Sequence, residues 1–178
     1  MASRPLGKFR GFSLVELLVA VGIIALLIGI LLPSLSKARR AARSVACKAK
    51  LEQIGVAFQM YLNDHHFKYP LAPSLPSVNP NNYGTLPQLL GHNLGDVVEA
   101  FHCPSDDTLF IKEGISYFYY TELGERPLND TFFWKVFENS AIVPILWDGD
   151  AFHGTVADYN WLFLDGHVAD HFVKPAGS

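Results

Sequence analysis

Glu16 is the residue whose position most needs a chemical explanation. It is the one charged side chain in the apolar run from Phe12 to Leu32. A carboxylate at the centre of a bilayer costs about 2.5–3.5 kcal/mol on insertion scales, and such residues usually mark a functional site. Where the dielectric constant is low, a cation beside Glu16 would be attracted strongly. The alternative is a side chain that extends to the membrane surface and has no further role.

Cys47 and Cys103 are the two cysteines of the chain. In an oxidising compartment they can form a disulfide that closes a loop of about 56 residues, worth about 4 kcal/mol in the chain-entropy model. Pairing requires Cα atoms less than about 7 Å apart, so two free cysteines are the alternative. Two isolated cysteines give little basis for a metal site.

Carboxylates and imidazoles are concentrated near the C-terminal end. They are Asp148, Asp150, His153, Asp165, His167 and His171. If they converged, they could form a zinc or hydrolase site. Their spacing is not that of an EF-hand, and the chain has no Gly-x-Ser-x-Gly, phosphate-binding loop or Cys-x-x-Cys motif. The simpler interpretation is turn chemistry with solvated acids, because Asp-Gly pairs are common in turns.

The element that carries Glu16 is predicted to be a helix long enough to span a bilayer. The 21 residues from Phe12 to Leu32 would extend about 31 Å, close to the thickness of the hydrocarbon core. A secretory signal peptide would have a shorter apolar core and a small-residue cleavage site after it. A buried helix of a soluble core would not need to be apolar on all sides. We therefore expect a retained membrane-spanning helix.

Helical periodicity continues beyond Pro33 to about Asn63. Apolar residues recur there at helical spacing, with polar residues between them. They are Leu35, Ala38, Ala42, Val45, Ala49, Leu51, Ile54, Phe58, Tyr61 and Leu62. Pro33 is expected to kink this helix. The apolar stripe must be covered, and the rest of the chain is the expected cover.

The charges divide a basic stem from an acidic head. Three basic residues precede the apolar run, and six more lie between Lys37 and Lys50 with no acid among them. Residues 66–178 contain five basic and fourteen acidic residues, a net charge of −9. An acidic head argues against nucleic-acid binding, because phosphate contacts need a cationic surface. The basic stem would either approach anionic lipid headgroups or form an ordinary solvated helix face.

The segment Gly11-Phe12-Ser13-Leu14-Val15-Glu16 resembles the processing site of type IV pilins and type II secretion pseudopilins. The resemblance extends to the basic leader Met1–Gly11 and to Pro33, at mature position 22. In that family a membrane peptidase on the cytoplasmic side cuts after the glycine and methylates the new amino terminus. The resemblance implies cleavage between Gly11 and Phe12 and N-methylation of Phe12.

The resemblance also implies a role for Glu16, the fifth mature residue. Cleavage creates an amino group on Phe12, and Glu16 of one subunit can pair with that amine on a neighbouring copy. Inside lipid, both charges would be paired only at one axial offset between the neighbouring helices. Uncleaved chains lack the amine at Phe12 and should not assemble.

Two signals for membrane orientation conflict. The excess of basic residues after the helix would place the head in the cytoplasm, whereas processing requires the Gly11–Phe12 bond to face the cytoplasm. We give the processing site precedence because it fixes several positions at once. We expect a single-pass protein of the bacterial inner membrane, with a cytoplasmic N-terminus and a periplasmic or extracytoplasmic head.

The head is predicted to contain a small antiparallel sheet. β-Prone stretches lie at 115–122, 141–147, 160–164 and 167–172. Asp165-Gly166 joins the last two as a hairpin. Residues 69–87 are predicted to form a loop, with short helical turns at 86–90 and 95–100.

The predicted fold is α+β and pilin-like, with a long N-terminal helix on the sheet. Its parts are a leader at 1–11, a transmembrane assembly helix at 12–33, an amphipathic stem at 34–64 and an exported head at 65–178.

The tail resembles the C-terminal module of a bacterial pseudopilin-like subfamily, marked by a His, a nine-residue gap and Asp-Gly. Here eleven residues separate His153 from Asp165. Cys47–Gly55 and Cys103-Pro104-Ser105 also resemble that subfamily. Secretion pseudopilins of the major type hold calcium in a C-terminal loop, so the resemblance makes calcium candidates of three acids, and no other cofactor is expected. They are Asp148, Asp150 and Asp165.

Two classes of function follow. The first is a non-enzymatic structural subunit, a pseudopilin or minor pilin of a type II secretion or type IV pilus-like filament. Its partners would be the prepilin peptidase/methyltransferase, copies of itself, other pilin-like subunits, an inner-membrane assembly platform and membrane lipid, with no nucleic acid. The second is a membrane-anchored extracytoplasmic binding or catalytic domain that uses the pilin signal only for sorting.

Overall fold

The computed structural model describes residues 13–95, 98–154 and 158–172. The chain divides into two compact units between Arg39 and Arg40. The first unit holds the apolar turns of helix α1. The second holds the remaining turns of that helix together with the head.

Helix α1 runs without interruption from Leu14 to Asp64. Its first turn is capped from within the chain, because the Ser13 N–H donates to Glu16 Oε2 at 2.9 Å. Pro33 lies inside the helix, where it lacks a backbone donor but does not end the element. The predicted continuation of the apolar helix into the stem is therefore confirmed.

The head covers only the C-terminal turns of α1. Buried positions on the helix are Cys47, Leu51, Ile54, Gly55, Ala57, Phe58, Tyr61 and Leu62. Nearer the N-terminus, Leu35 is 47% exposed and Val45 is 66% exposed. The expectation that the chain covers the whole stripe is wrong for Leu35, Ala38, Ala42, Val45 and Ala49, all of which are exposed. Burial starts at Cys47 because packing against the head begins there.

The described residues of the head form a four-stranded antiparallel sheet in the order β1-β2-β3-β4. The strands are β1 Tyr117–Tyr119, β2 Pro144–Asp148, β3 Trp161–Phe163 and β4 Val168–Ala169. In the register, Tyr117 pairs with Asp148, and Trp147 pairs with Trp161. Each strand overlaps a predicted one and is shorter than predicted.

Glycine has a structural role at two positions near strand β3. Gly166 has a φ of +91° in the turn between β3 and β4, a conformation that glycine adopts without strain, and the predicted hairpin is present. Gly55 lets α1 approach β3 closely, because a Cβ there would lie 3.0 Å from Leu162 Cδ1.

Short helical elements connect the strands. The α-helices are α2 Leu86–Leu90, α3 Leu109–Glu113, α4 Glu122–Glu125 and α5 Phe132–Phe137, and 3₁₀ turns occupy Gly91–Leu94, Val98–Phe101, Leu128–Asp130 and Ser140–Ile142. Helix α2 matches the turn predicted at 86–90, and the 3₁₀ turn at Val98–Phe101 overlaps the one predicted at 95–100. Helices α3, α4 and α5 were not predicted, and α4 starts at Glu122, inside the predicted first strand. One or two turns give too few repeats for periodicity to reveal a helix.

The core forms where the stem part of α1 meets the sheet. Leu51, Ile54 and Phe58 of α1 are fully buried. They belong to one apolar cluster with sheet residues such as Tyr119 and Leu162. Burial of a large apolar side chain contributes about 1.5–3 kcal/mol, so this contact holds helix and sheet together. The predicted α+β, pilin-like layout is confirmed.

Candidate functional site

Glu16 lies at the start of an exposed apolar helix. The large apolar side chains from Leu14 to Leu32 are 49–78% exposed, and α1 is long and apolar enough to cross a membrane. Gly11 and Phe12 lie outside the described residues, so the predicted cleavage and methylation site stays a prediction. Within the single chain, Glu16 is bound to the Ser13 amide.

Cys47 and Cys103 form a disulfide. Their Cα atoms are 4.9 Å apart, and both residues are fully buried. The bond fastens α1 to the loop that precedes α3. Of the two alternatives drawn from the sequence, the structure contains the paired one.

Two stem lysines also contact the head. Lys48 Nζ lies 2.9 Å from Asp170 Oδ2, and Lys50 Nζ donates to the Glu99 carbonyl. These two side chains therefore contact the acidic head. This contact matches neither alternative drawn from the sequence, which were lipid headgroups and an ordinary solvated helix face. The basic stem complements the head at this end.

A buried carboxylate, Asp106, organises the turn that carries Cys103. It accepts hydrogen bonds at 2.7–2.9 Å from the backbone N–H groups of Thr108, Leu109 and Phe110. Ser116 Oγ donates to Asp106 Oδ2 at 2.6 Å and accepts from the Cys103 N–H at 3.0 Å. This network was not predicted from the sequence. The signal available was an Asp shortly before a helix, a common N-terminal cap.

His153 lies over the disulfide. Its Nε2 atom is 3.8 Å from Cys103 Sγ and 3.4 Å from Asp148 Oδ2. The side chain is 6% exposed, and that of Asp148 is fully buried. The backbone and side-chain N–H groups of Asn160 donate to Asp148 Oδ2 at 2.7 and 3.0 Å. Among the described residues, Asp148 Oδ1 and His153 Nδ1 lack a hydrogen-bond partner.

Burial sets the protonation of this pair. It raises the pKa of Asp148 to about 7, although the hydrogen bonds from Asn160 oppose the shift. Burial also lowers the pKa of His153, and the positive charge of Lys48 acts in the same direction. Both shifts favour the uncharged forms of the two side chains.

The other tail residues do not gather around this pair. Asp165 accepts from the His167 N–H in its own turn, Asp150 accepts from the Ala151 N–H, and the ring of His171 pairs with Asp170. Within the described ranges, the three calcium candidates Asp148, Asp150 and Asp165 do not form a metal-binding group. The solvated-turn interpretation fits the exposed Asp165 but is wrong for the buried Asp148.

Comparison with protein families concerns the N-terminal segment. A family model described as the prokaryotic N-terminal methylation motif matches residues 6–32. This segment is a type IV pilin-like prepilin signal. Comparison with curated proteins and with solved structures finds no match.

The prepilin signal covers the predicted processing site and the isolated acid of the apolar run. Its span includes Gly11, Phe12 and Glu16. The signal supports a type IV pilin-like or pseudopilin subunit and points to a structural role. With the apolar helix, it fits a membrane-anchored, single-pass protein. The match ends at residue 32, so the resemblance of the C-terminal module stays a prediction.

Proposed function

We propose that the protein is a pseudopilin or minor pilin, a structural subunit of a type II secretion or type IV pilus-like filament. The observation that carries the proposal is the methylation motif at residues 6–32, whose described part from Leu14 onward lies on a helix with exposed apolar turns. A prepilin peptidase/methyltransferase would cut between Gly11 and Phe12 and methylate Phe12. An inner-membrane assembly platform and other pilin-like subunits would be its further partners.

The exposed surface of α1 is where copies would pack. From Leu14 to Leu35 the large apolar side chains are 47–78% exposed, and Val45 extends this surface beyond the membrane segment. Lipid would cover the membrane part of a single subunit. In a filament, helices of neighbouring subunits would cover both parts. This would explain why the apolar stripe continues beyond the turns that the head buries.

Glu16 would set the stagger between subunits. In the single chain its carboxylate already accepts from the Ser13 N–H, next to the position where cleavage would leave the Phe12 amine. An amine from a neighbouring copy would add a full opposite charge where the dielectric constant is low. An axial slip would leave both groups unpaired in lipid, so one register is favoured.

The head would lie outside the cytoplasm. A buried disulfide is expected of a protein that folds in an oxidising compartment, and the Cys47–Cys103 bond supports this side for the head. The processed N-terminus would then face the cytoplasm, where the peptidase acts.

Replacing Glu16 tests this function. We would express wild type, Glu16→Gln and Glu52→Gln in cells that contain the peptidase. Glu52 is an exposed acid on the same helix, so its variant controls for loss of a helix carboxylate. Mass spectrometry would report processing, and crosslinking in membranes would report assembly.

We expect Glu16→Gln to be processed but not assembled, and Glu52→Gln to behave as wild type. Assembly of Glu16→Gln at the wild-type level would reject the filament proposal. It would favour the membrane-anchored binding or catalytic domain instead.

A further inference from the structure

We propose that Cys47, Cys103 and His153 bind a thiophilic divalent cation of the zinc class when the two cysteines are reduced. This site is separate from the helix surface on which the filament role rests. The sequence places the imidazole 50 residues from the nearer cysteine, so only the fold brings the three side chains together.

The distances suit a tetrahedral metal site. One ligand atom from each of the three residues lies within 4.8 Å of the other two. Zn–S bonds of about 2.3 Å and Zn–N bonds of about 2.0–2.1 Å place sulfur and nitrogen about 3.5 Å apart at tetrahedral angles. His153 Nε2 is 3.8 Å from Cys103 Sγ. A small rotation of either side chain would bring these two atoms to ligand spacing.

Asp148 lies outside the three-residue group but offers a buried carboxylate beside His153 for the fourth position. Its Oδ2 lies 3.4 Å from His153 Nε2, close to the roughly 3.3 Å between nitrogen and oxygen ligands on one zinc ion. Its side chain is fully buried, and within the described part of the chain its Oδ1 has no hydrogen-bond partner. Thiolate, imidazole and carboxylate are the ligand types that zinc prefers.

Reduction opens the site because a disulfide has no thiolate to offer a cation. A dithiol reductant would supply two electrons and two protons. The Cys47–Cys103 bond would break, two thiols would form, and the reductant would become a disulfide. The divalent cation would then displace the two thiol protons, with the sulfur atoms about 3.8 Å apart around it.

A cavity lies beside His153, the one member of the ligand cluster that lines it. Its volume is about 400 Å³, and it lies between the α1 residues Arg40 and Ser44 and the tail residues Phe152 and His153. Ser105, two residues after Cys103, lines the same cavity. The ligand cluster therefore lies next to accessible space even though its members are buried.

Cobalt(II) titration of the full chain in detergent tests the site. Cobalt(II) reports tetrahedral thiolate ligation through its absorption, and zinc competition then gives the affinity of the preferred ion. We expect the chain reduced by a phosphine to bind one cobalt(II) with thiolate-to-metal absorption. The oxidised chain should show no such absorption.

Two substitutions at His153 separate ligation from folding. His153→Asn removes the ligand and should weaken binding about tenfold or more, whereas His153→Cys supplies a thiolate and should retain it. His171→Ala is the matched control, because His171 lines the same cavity but is paired with Asp170 and lies outside the ligand cluster. It should bind as wild type does.

Three results would overturn the proposal. They are absence of cobalt(II) binding by the reduced wild-type chain, equal binding by His153→Asn and wild type, and loss of binding in both His153 variants. If the reduced chain is unfolded and stays unfolded when metal is added, it will not bind cobalt(II). That outcome is the first of the three results.

Discussion

Asp106 shows how one buried carboxyl group fixes the loop that carries Cys103. The residue is 4% exposed, and its carboxylate is bound by three backbone N–H groups and one hydroxyl. Hydrogen bonds to a charged group contribute more than neutral ones. Through Ser116, the same carboxylate reaches the backbone of Cys103. The position of the disulfide therefore depends on a residue that is not a cysteine.

We predict that Asp106→Ala destabilises the head by about 2–4 kcal/mol, because it leaves the first turn of α3 and Ser116 without their acceptor. Thermal unfolding of the full chain in detergent, followed by near-ultraviolet circular dichroism, would measure the loss. Asp107→Ala is the control, since Asp107 is exposed, and it should change stability by less than about 0.5 kcal/mol. Equal effects of the two variants would contradict the assigned role of Asp106.

The two ends of helix α1 differ in how much of their surface is buried. Its apolar N-terminal turns are exposed on all sides, whereas its C-terminal turns bury one face in the head. Helical periodicity alone does not mark the boundary, because the apolar stripe runs through it. The boundary is set by where the disulfide and the sheet contact the helix.

Leu51 and Val56 test this division within the covered turns. Leu51 is fully buried and Val56 is 62% exposed. Leu51→Ala should cost about 2–5 kcal/mol through lost burial and a residual cavity, while Val56→Ala should stay within about 0.5 kcal/mol. Denaturant unfolding of each variant gives the comparison. A Val56 effect as large as that of Leu51 would mean that the exposed face is also covered by the head.

The ion pair between α1 and the segment after β4 predicts an acid-dependent loss of stability. Hydrogen bonds from Lys48 and His171, with the charge of Lys48, hold the pKa of Asp170 at about 2. Because the unfolded value is about 3.9, the pair stabilises the fold above that pH. The contribution is lost as the pH falls from about 4 to about 2.

We predict that Asp170→Asn costs less than about 1 kcal/mol at pH 7, because the carboxylate is 57% exposed and screened by solvent. The difference from wild type should shrink below pH 4 and at high salt. Unfolding across pH and ionic strength checks this, with Asp107→Asn as the exposed control. A difference that persists at pH 2 would show that the pair does not act through charge.

At the scale of the whole molecule, the chain joins a membrane signal to a head held by its own core. The signal at residues 6–32 and the exposed apolar helix fit a membrane anchor, and in the proposed filament they would also contact other subunits. The sheet, the disulfide and the buried Asp148–His153 pair concern the head alone. The proposed assembly and the proposed metal site of the head can therefore be tested with separate variants.

The prediction for the whole molecule concerns proteolytic processing of its N-terminal segment. In cells with the peptidase, we expect mature protein from membranes to lack residues 1–11 and to carry one methyl group on Phe12. Intact-mass and N-terminal peptide mass spectrometry would measure both. Gly11→Val should block the cut and serve as the negative control. Wild-type protein that retains its first eleven residues would contradict the proposed maturation.

Much of the fold follows from local patterns. The apolar run and the periodicity after Pro33 predicted α1, and β-prone stretches with an Asp-Gly turn predicted all four strands. Most strand ends were placed too far out, although β2 reaches one residue beyond its predicted end, because propensity does not show where a ladder partner stops. Helix α5 was missed because its aromatic sequence Phe132–Phe137 shows no clear apolar period over six residues.

The candidate site residues also divide into those predicted from the sequence and those brought together only by the fold. The amino-acid sequence by itself determined the prepilin signal and the place of Glu16 in it, because an isolated charge in an apolar helix and a cleavage motif are read along the chain. Only the tertiary structure decided that Cys47 pairs with Cys103, that His153 covers the bond and that Asp148 is buried beside it. Those contacts join residues up to 56 positions apart, and no local propensity encodes which distant side chains the packed core brings together.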